Sequence, residues 1–212
     1  MKSVSEIEFL VKICGITDEE DGRVALACGA NALGFNFYAS SPRFLTFDRA
    51  RELTDALEGE YLRVGVFVNP SESELNEALS AVPLDVVQLH GEHCAAPSRS
   101  VRVWRSLALP AEISPGETAE AFLLDSPSTA FGGSGRTFDW SLAAGFPRRA
   151  ILAGGLDASN VAEAIRAVRP WGVDACSRLE SKPGRKDASR VRAFLLAAHR
   201  EAPARTPAET RT

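Results

Sequence analysis

Two side chains draw attention because each directly follows an apolar run. Cys14 comes after Phe9-Leu10-Val11-Lys12-Ile13 and precedes a glycine, and Asp125 closes Phe122-Leu123-Leu124. A cysteine near a helix N-terminus and a positive side chain ionises more readily than a free thiol, and the thiolate can serve as a base. The rival reading of Cys14 is a buried small residue. A carboxyl at the end of a buried strand is pushed toward its protonated form, which suits a general acid, although it can also cap the next loop. Together, one base and one acid at opposite strand ends would shuttle protons on a single substrate.

Other residues offer ways to hold an anion. Gly154-Gly155 follows a further apolar run and precedes Asp157, Ser159 and Asn160, which are suited to cap a helix. Backbone N–H groups in such a turn can hold phosphate, or the pair can be a simple turn. Gly132-Gly133-Ser134-Gly135 reads equally well as a flexible loop or a functional one. Arg43, in Ser41-Pro42-Arg43, has the planar fork that matches a carboxylate, against the alternative of a solvated surface residue. His90 and His93 are spaced like a metal pair on a helix, but a third ligand at suitable spacing is missing, so no metal site is expected.

The elements that must position these residues form a rhythm. Eight short apolar, β-branched or aromatic runs recur: Phe9–Ile13, Ala32–Phe37, Leu62–Val68, Asp85–Leu89, Val101–Leu107, Ala121–Leu124, Ala150–Leu152 and Gly172–Cys176. They are continuous rather than alternating, as strands covered on both faces should be. Helical patterns lie between them. Thr17-Asp18-Glu19-Glu20 and Ser71-Glu72-Ser73-Glu74 both fit a capping box. Phe47–Leu57, Val161–Val168 and Val191–Ala198 carry helical apolar spacing, whereas Leu89–Val101 leaves room only for a short or irregular helix. Strict alternation requires parallel strands with right-handed crossovers, and eight units in 212 residues match a small (β/α)₈ TIM barrel. An open doubly wound sheet would normally stop at five or six strands. No linker divides the chain, so residues 1–200 read as one barrel domain and 201–212 as a flexible tail. The C-terminal strand ends of such a barrel bring Cys14, Asn69, His90, Asp125, Gly154-Gly155 and Cys176-Ser177-Arg178 to one mouth.

Composition excludes several classes of function. Hydrophobic residues make up 45% of the chain, enough for one sizeable core, and the net charge of −4 lacks the basic footprint of a nucleic-acid binder. No run approaches the roughly 18 apolar residues a membrane span needs. Met1–Leu10 does not read as a secretory signal, and four dispersed cysteines without a CxxC read as reduced, cytoplasmic thiols.

Taken in chain order, the motifs resemble the phosphoribosylanthranilate isomerase family. The matching segments are Val11-Lys12-Ile13-Cys14-Gly15-Ile16-Thr17, Gly34-Phe35, Ser41-Pro42-Arg43 and Val64-Gly65-Val66-Phe67-Val68-Asn69. They continue through Val87-Gln88-Leu89-His90-Gly91, Leu123-Leu124-Asp125 and Gly132-Gly133-Ser134-Gly135 with Phe138-Asp139-Trp140. Leu152-Ala153-Gly154-Gly155-Leu156 with Asn160-Val161, and Pro183-Gly184-Arg185-Lys186-Asp187, complete a series running from about Val11 to Leu196.

The resemblance implies a (β/α)₈ barrel of tryptophan biosynthesis that carries out an Amadori rearrangement. N-(5-phosphoribosyl)anthranilate, an aminoaldose, would become the ketose 1-(2-carboxyphenylamino)-1-deoxyribulose 5-phosphate. It implies Cys14 as general base, Asp125 as general acid and Arg43 against the anthranilate carboxylate. Gly154 and Gly155, with the strand-eight loop at Ser177 and Arg178, are implied to hold phosphate, and Asp174 to lie close to the substrate. An iminium would be the electron sink, so neither metal nor organic cofactor is implied. The implied partner is a small molecule carrying phosphate and carboxylate, with no nucleic acid or membrane, and the chain is expected to be a monomer or homodimer. Because the chain is net negative, positive potential is expected locally at Arg43, the Gly154-Gly155 turn and Arg178.

One departure matters. Where the family usually has Asp-Val-Ser-Ser-Gly-Val-Glu, this chain reads Asp174-Ala175-Cys176-Ser177-Arg178-Leu179-Glu180. Glycine would permit a positive φ and close backbone approach to phosphate. Arg178 either supplies a charged contact instead or distorts the loop. A catalytically degenerate phosphosugar-binding barrel, favoured only by Arg178, therefore remains as a second reading. A third is another phosphosugar barrel, of the ribulose-phosphate epimerase or indole-glycerol-phosphate synthase type, but those lack the Cys14, Asp125 and Arg43 set.

Overall fold

Parallel strands pair in chain order and the eighth returns to the first, closing the sheet on itself. This computed structural model describes residues 7–110, 113–125 and 139–202. Residues 1–6, Gly132-Gly133-Ser134-Gly135, Phe138 and the 203–212 part of the expected tail lie outside the described residues. The barrel strands are β1 (Leu10–Cys14), β2 (Ala32–Asn36), β3 (Leu62–Val68), β4 (Val86–His90), β5 (Arg102–Ala108), β6 (Ala121–Asp125), β7 (Ala150–Leu152) and β8 (Gly172–Ala175). No strand end differs by more than one residue from the expected runs. The small shifts make Cys14 and Asp125 the last residues of their strands.

The outer layer is less regular. Helices α1 (Glu19–Ala27), α2 (Phe47–Ala56), α3 (Glu72–Ala81), α4 (Val161–Val168) and α5 (Ala188–Glu201) are present. Ser71 caps α3 by accepting from the Glu74 N–H, as the capping-box reading requires. The first helix differs. Asp18, not Thr17, is its N-cap and accepts from the Glu20 N–H, while the Thr17 hydroxyl donates to the Gly184 carbonyl. The hydroxyl is committed to a distant loop, and the adjacent carboxylate takes over the cap. Residues 91–101 form no helix, and β6 and β7 are joined, among the described residues, through a 3₁₀ turn at Trp140–Ala143. After β8 come a 3₁₀ turn at Ser177–Leu179 and a small antiparallel pair, β9 (Glu180–Lys182) and β10 (Arg185–Lys186). No helix among the described residues is long and apolar enough to cross a membrane.

Alternation along the strands divides the core in two. Val11, Ile13, Leu33, Phe35, Val87 and Val173 face outward into the layer between strands and helices. Leu10, Leu62, Val64, Val86, Trp104, Ala121 and Ile151 face inward and fill the barrel. Each valine, leucine, isoleucine or phenylalanine among them contributes roughly 1.5–3 kcal/mol when fully buried. Toward the C-terminal strand ends, inward positions turn polar: Lys12, Gln88, His90 and Asp174 are all buried.

Candidate active site

Residues two apart on a strand share a face, so Lys12 and Cys14 both point into the barrel from β1. Lys12 is in register with Asp174 of β8, and its Nζ donates to Asp174 Oδ1 at 2.9 Å. Lys12 is 0% exposed. Burial alone would discharge it, but the nearby Asp174 carboxylate and, less strongly, Cys14 outweigh that effect and hold its pKa above the usual lysine value. A buried pair of this kind is weak evidence for stability, because desolvation offsets most of the attraction. What it provides is a fixed positive charge beside Cys14.

Cys14 is buried, and the register of β1 with β8, which pairs Ile13 with Ala175, sets it beside Cys176. The next residue must be glycine: Gly15 has φ +72°, and a Cβ there would lie 2.6 Å from Arg43 Cδ and 3.0 Å from Cys176 Sγ. That missing side chain lets the arginine and the second thiol close over the end of β1. The ionisation of Cys14, which the sequence leaves open, is disfavoured by its surroundings. Interaction with the neighbouring Cys176 thiol, then burial, raise the Cys14 pKa against the pull of Lys12. Cys176 moves the other way, to about 6, because of its interaction with the Cys14 thiol and because, against burial, Lys186 and Arg43 add positive charge.

Arg43 is anchored rather than free. Its Nε and Nη2 donate to Glu180 at 2.7 and 2.6 Å, and Lys186 Nζ donates to the same carboxylate at 2.9 Å. Burial acts to raise the Glu180 pKa, but the hydrogen bonds from Arg43 and Lys186 and the attraction of Lys186 prevail and hold it below the ordinary glutamate value. Expected as a local source of positive potential, Arg43 thus shares its charge with Glu180. Nη1 is the arm with no partner among the described residues.

Asp125 lines the same cavity from β6, three strands from β1 around the ring, and is half-buried rather than buried. On the longer arc from β1 to β6, His90 of β4 meets Gln88 Nε2 at 2.8 Å through its Nε2. Burial, with Lys12 and Arg105 adding to it, pushes the His90 pKa down to about 4, so the ring is neutral at pH 7. His93 is exposed in the loop beyond, and its backbone N–H donates to Asn69 Oδ1 at 2.9 Å.

Gly154 (φ 82°) and Gly155 (φ 63°) form a left-handed turn after β7. Asn160 fastens this turn instead of capping α4 with its side chain: its Oδ1 accepts from the Asp157 N–H and its Nδ2 donates to the Gly155 carbonyl, each at 2.9 Å. Arg178 Nη1 donates to Asp157 Oδ2 at 2.8 Å and so ties the β8 loop to the β7 loop. Burial opposes ionisation of Asp157, but hydrogen bonds from Ser159 and Arg178 hold its pKa below the ordinary value. Among the described non-glycine residues only Asn69 and Arg169 have positive φ, so Arg178 carries no left-handed strain.

Cys14, Arg43, Asp125, Gly154, Gly155, Asp174, Ser177 and Arg178 therefore all line one cavity at the barrel mouth. Sequence reasoning missed Lys12, Gln88, Glu180 and Lys186 as parts of the site, and gave His90 and Cys176 no role beyond their strand-end position. The two-residue period pointed to some of them, since Lys12 shares a strand face with Cys14, Gln88 with His90, and Cys176 with Asp174.

A closed parallel barrel with thiols, carboxylates and anchored cations at the C-terminal ends of its strands defines a (β/α)₈-barrel enzyme with a site suited to an anionic small molecule. The comparisons narrow the class. The family model for N-(5'-phosphoribosyl)anthranilate (PRA) isomerase matches residues 11–197. The N-(5'-phosphoribosyl)anthranilate isomerase of Solibacter usitatus is 46% identical over 200 residues, covering 90% of this chain and 97% of the relative. The crystal structure of phosphoribosyl anthranilate isomerase from Thermus thermophilus superposes with a TM-score of 0.80 at 35% identity, covering 90% of this chain and 98% of that one. Another, in complex with reduced 1-(o-carboxyphenylamino)-1-deoxyribulose 5-phosphate, gives a TM-score of 0.74 at 33% identity, with the same coverages. The chain belongs to the N-(5'-phosphoribosyl)anthranilate isomerase family, isomerases of tryptophan biosynthesis.

Proposed function

We propose that the chain rearranges N-(5-phosphoribosyl)anthranilate to 1-(2-carboxyphenylamino)-1-deoxyribulose 5-phosphate, with Cys14 as general base and Asp125 as general acid. The observation that carries this reading is that both groups line one cavity from strands three apart in the ring, Cys14 from β1 and Asp125 from β6. Asp125 protonates the furanose ring oxygen as the bond from C1 to that oxygen opens, leaving an iminium at C1. Cys14 then removes the acidified C2 proton, and the C–H electrons flow into the iminium to give an enolamine, which tautomerises to the ketone. Arg43 receives the anthranilate carboxylate through the arm that Glu180 leaves available. Backbone N–H groups of Gly154, Gly155 and Ser177, with Arg178 at the rim, receive the phosphate. Asp174 acts beside the substrate by fixing Lys12 next to the base. A reducing, cytoplasmic setting belongs to the same proposal, supported by four free cysteines, two of them in the site.

The test uses anthranilate phosphoribosyltransferase to generate the labile substrate in place and follows loss of its fluorescence. Cys14→Ala and Asp125→Asn are each expected to lower kcat by about 10²–10⁴-fold while leaving the unfolding midpoint near that of the parent. Near-normal turnover in either variant removes that residue from its role.

A further inference from the structure

Cys176 takes no part in the steps above, yet its surroundings are arranged to hold a negative charge. It directly follows β8, lines the same cavity as Cys14 and lies beside it by the register of β1 with β8. Lys186 Nζ, on a side chain only 1% exposed, lies 3.7 Å from Cys176 Sγ and donates to the Cys176 carbonyl at 3.3 Å. Glu180 Oε1 lies 4.0 Å from the same sulfur, but both Glu180 oxygens are occupied, by Arg43 and Lys186. The charged groups facing Cys176 are thus Lys186 of β10, Arg43 of the β2 loop and Glu180 of β9, an excess of one positive charge. Those facing Cys14 are Lys12 of its own strand, Asp174 of β8 and, more weakly, Arg43, but Lys12 is bound to Asp174 at 2.9 Å, and among the described residues no cation hydrogen-bonds to the Cys14 sulfur as Lys186 does to that of Cys176. A negative charge shared by the two sulfurs is therefore better placed on Cys176.

We propose that Cys176 is the proton acceptor for Cys14, so that the base of this site is a thiol pair carrying one proton and one negative charge. This rests on Cys14 being the base. At rest, the Cys14 S–H donates to the Cys176 thiolate. When the iminium forms at C1, a positive charge arises next to C2 and favours the anion on Cys14. The proton then passes from the Cys14 sulfur to the Cys176 sulfur, and the negative charge passes the other way. Cys14 next takes the C2 proton, leaving both thiols protonated. The pair returns one proton to solvent, and Asp125 recovers the one it gave to the ring oxygen, so the cycle balances. The opposed ionisation of the two thiols, Cys14 raised and Cys176 lowered to about 6, agrees with this resting state. Cys176 acts through Cys14 and is a positioning residue for the proton.

The test locates the thiolate and follows the pH profile in the full chain. Serine is close to cysteine in shape but does not ionise near neutrality. The ultraviolet absorbance of a thiolate at pH 7 should persist in Cys14→Ser and vanish in Cys176→Ser. The acid limb of the kcat profile in Cys176→Ser should move up by at least about one pH unit. Turnover near pH 6 would then fall about tenfold, and turnover near pH 9 would stay within about twofold of the parent. Cys176→Ala, which adds no polar atom, should shift the limb in the same direction; a purely structural role would lower kcat at all pH values alike. Loss of the thiolate in Cys14→Ser, or an unmoved acid limb in both Cys176 variants, overturns the proposal. Near-normal turnover of Cys14→Ala instead overturns the base assignment itself, whereas an unmoved limb with a Cys14→Ala variant that is dead overturns the relay alone.

Discussion

The floor and the mouth of the barrel are built by the same strands from opposite kinds of residue. β1 places Leu10 in the floor and Lys12 and Cys14 in the mouth; β6 places Ala121 and Leu123 below and Asp125 above. The floor is held by apolar contact, with Trp104 fully buried and its ring edge-on to Trp171 at 5.9 Å. That kind of burial is non-directional and indifferent to pH. The mouth instead buries Lys12, Asp174, Glu180 and Lys186, each costly to desolvate and tolerated only because it is paired. Apolar groups of similar size would do as well or better for stability. The difference teaches that stability accounts for the floor and chemistry for the mouth.

Converting one pair at the mouth into floor should break the comparison most visibly. Lys12→Met strands the Asp174 carboxylate and is expected to cost about 3–5 kcal/mol of unfolding free energy, measured by denaturant titration. Adding Asp174→Leu should recover most of that loss, or exceed the parent, while turnover stays abolished. If the double variant is no more stable than Lys12→Met, the pair stabilises the barrel after all, and the contrast between floor and mouth fails.

A smaller effect is expected at Glu180, and it separates the two regions by pH. Glu180 has a pKa below its ordinary value in the fold, so its contribution is present above the unfolded-state pKa and lost as pH falls through the lowered folded-state value. Glu180→Gln should cost about 1.5–3 kcal/mol at pH 7, the range for hydrogen bonds to charged groups, and the deficit should shrink below the ordinary glutamate pKa. A deficit that stays constant from pH 7 into the acid range would mean that Glu180 acts by packing, as floor residues do.

The contrast also governs what the sequence reveals. The floor and the strands were legible because apolar runs advertise themselves: β3 and β7 match their expected bounds, as does α4, whose apolar face repeats at helical spacing. Strand-end positions then led to Cys14, Asp125 and Gly154-Gly155, since chain order alone sends those ends to one side. The partners of the mouth residues were not legible, because pairing there is set by closure of the ring. Lys12 meets Asp174 across 162 positions and Arg43 meets Glu180 across 137, and no local pattern encodes either contact. The same reason explains Thr17, whose hydroxyl is drawn from the expected cap to Gly184, 167 positions away.

Arg178 sits at the boundary of the mouth, and its effect should be the smallest. Its side chain is 40% exposed and tied to Asp157, so the ion pair itself is worth only about 0–1 kcal/mol. A guanidinium that also meets the ligand phosphate would raise the cost of Arg178→Gly mainly in KM, by about fivefold at low salt, with kcat within about twofold. Added salt should shrink that difference, because an exposed charge is screened. Asp157→Asn gives the converse: it removes the charge opposite Arg178 and should leave KM unchanged or lower it. If Arg178→Gly leaves KM unchanged or lowers it, arginine at this position gives no charged contact to phosphate, and its role is confined to holding the two loops together.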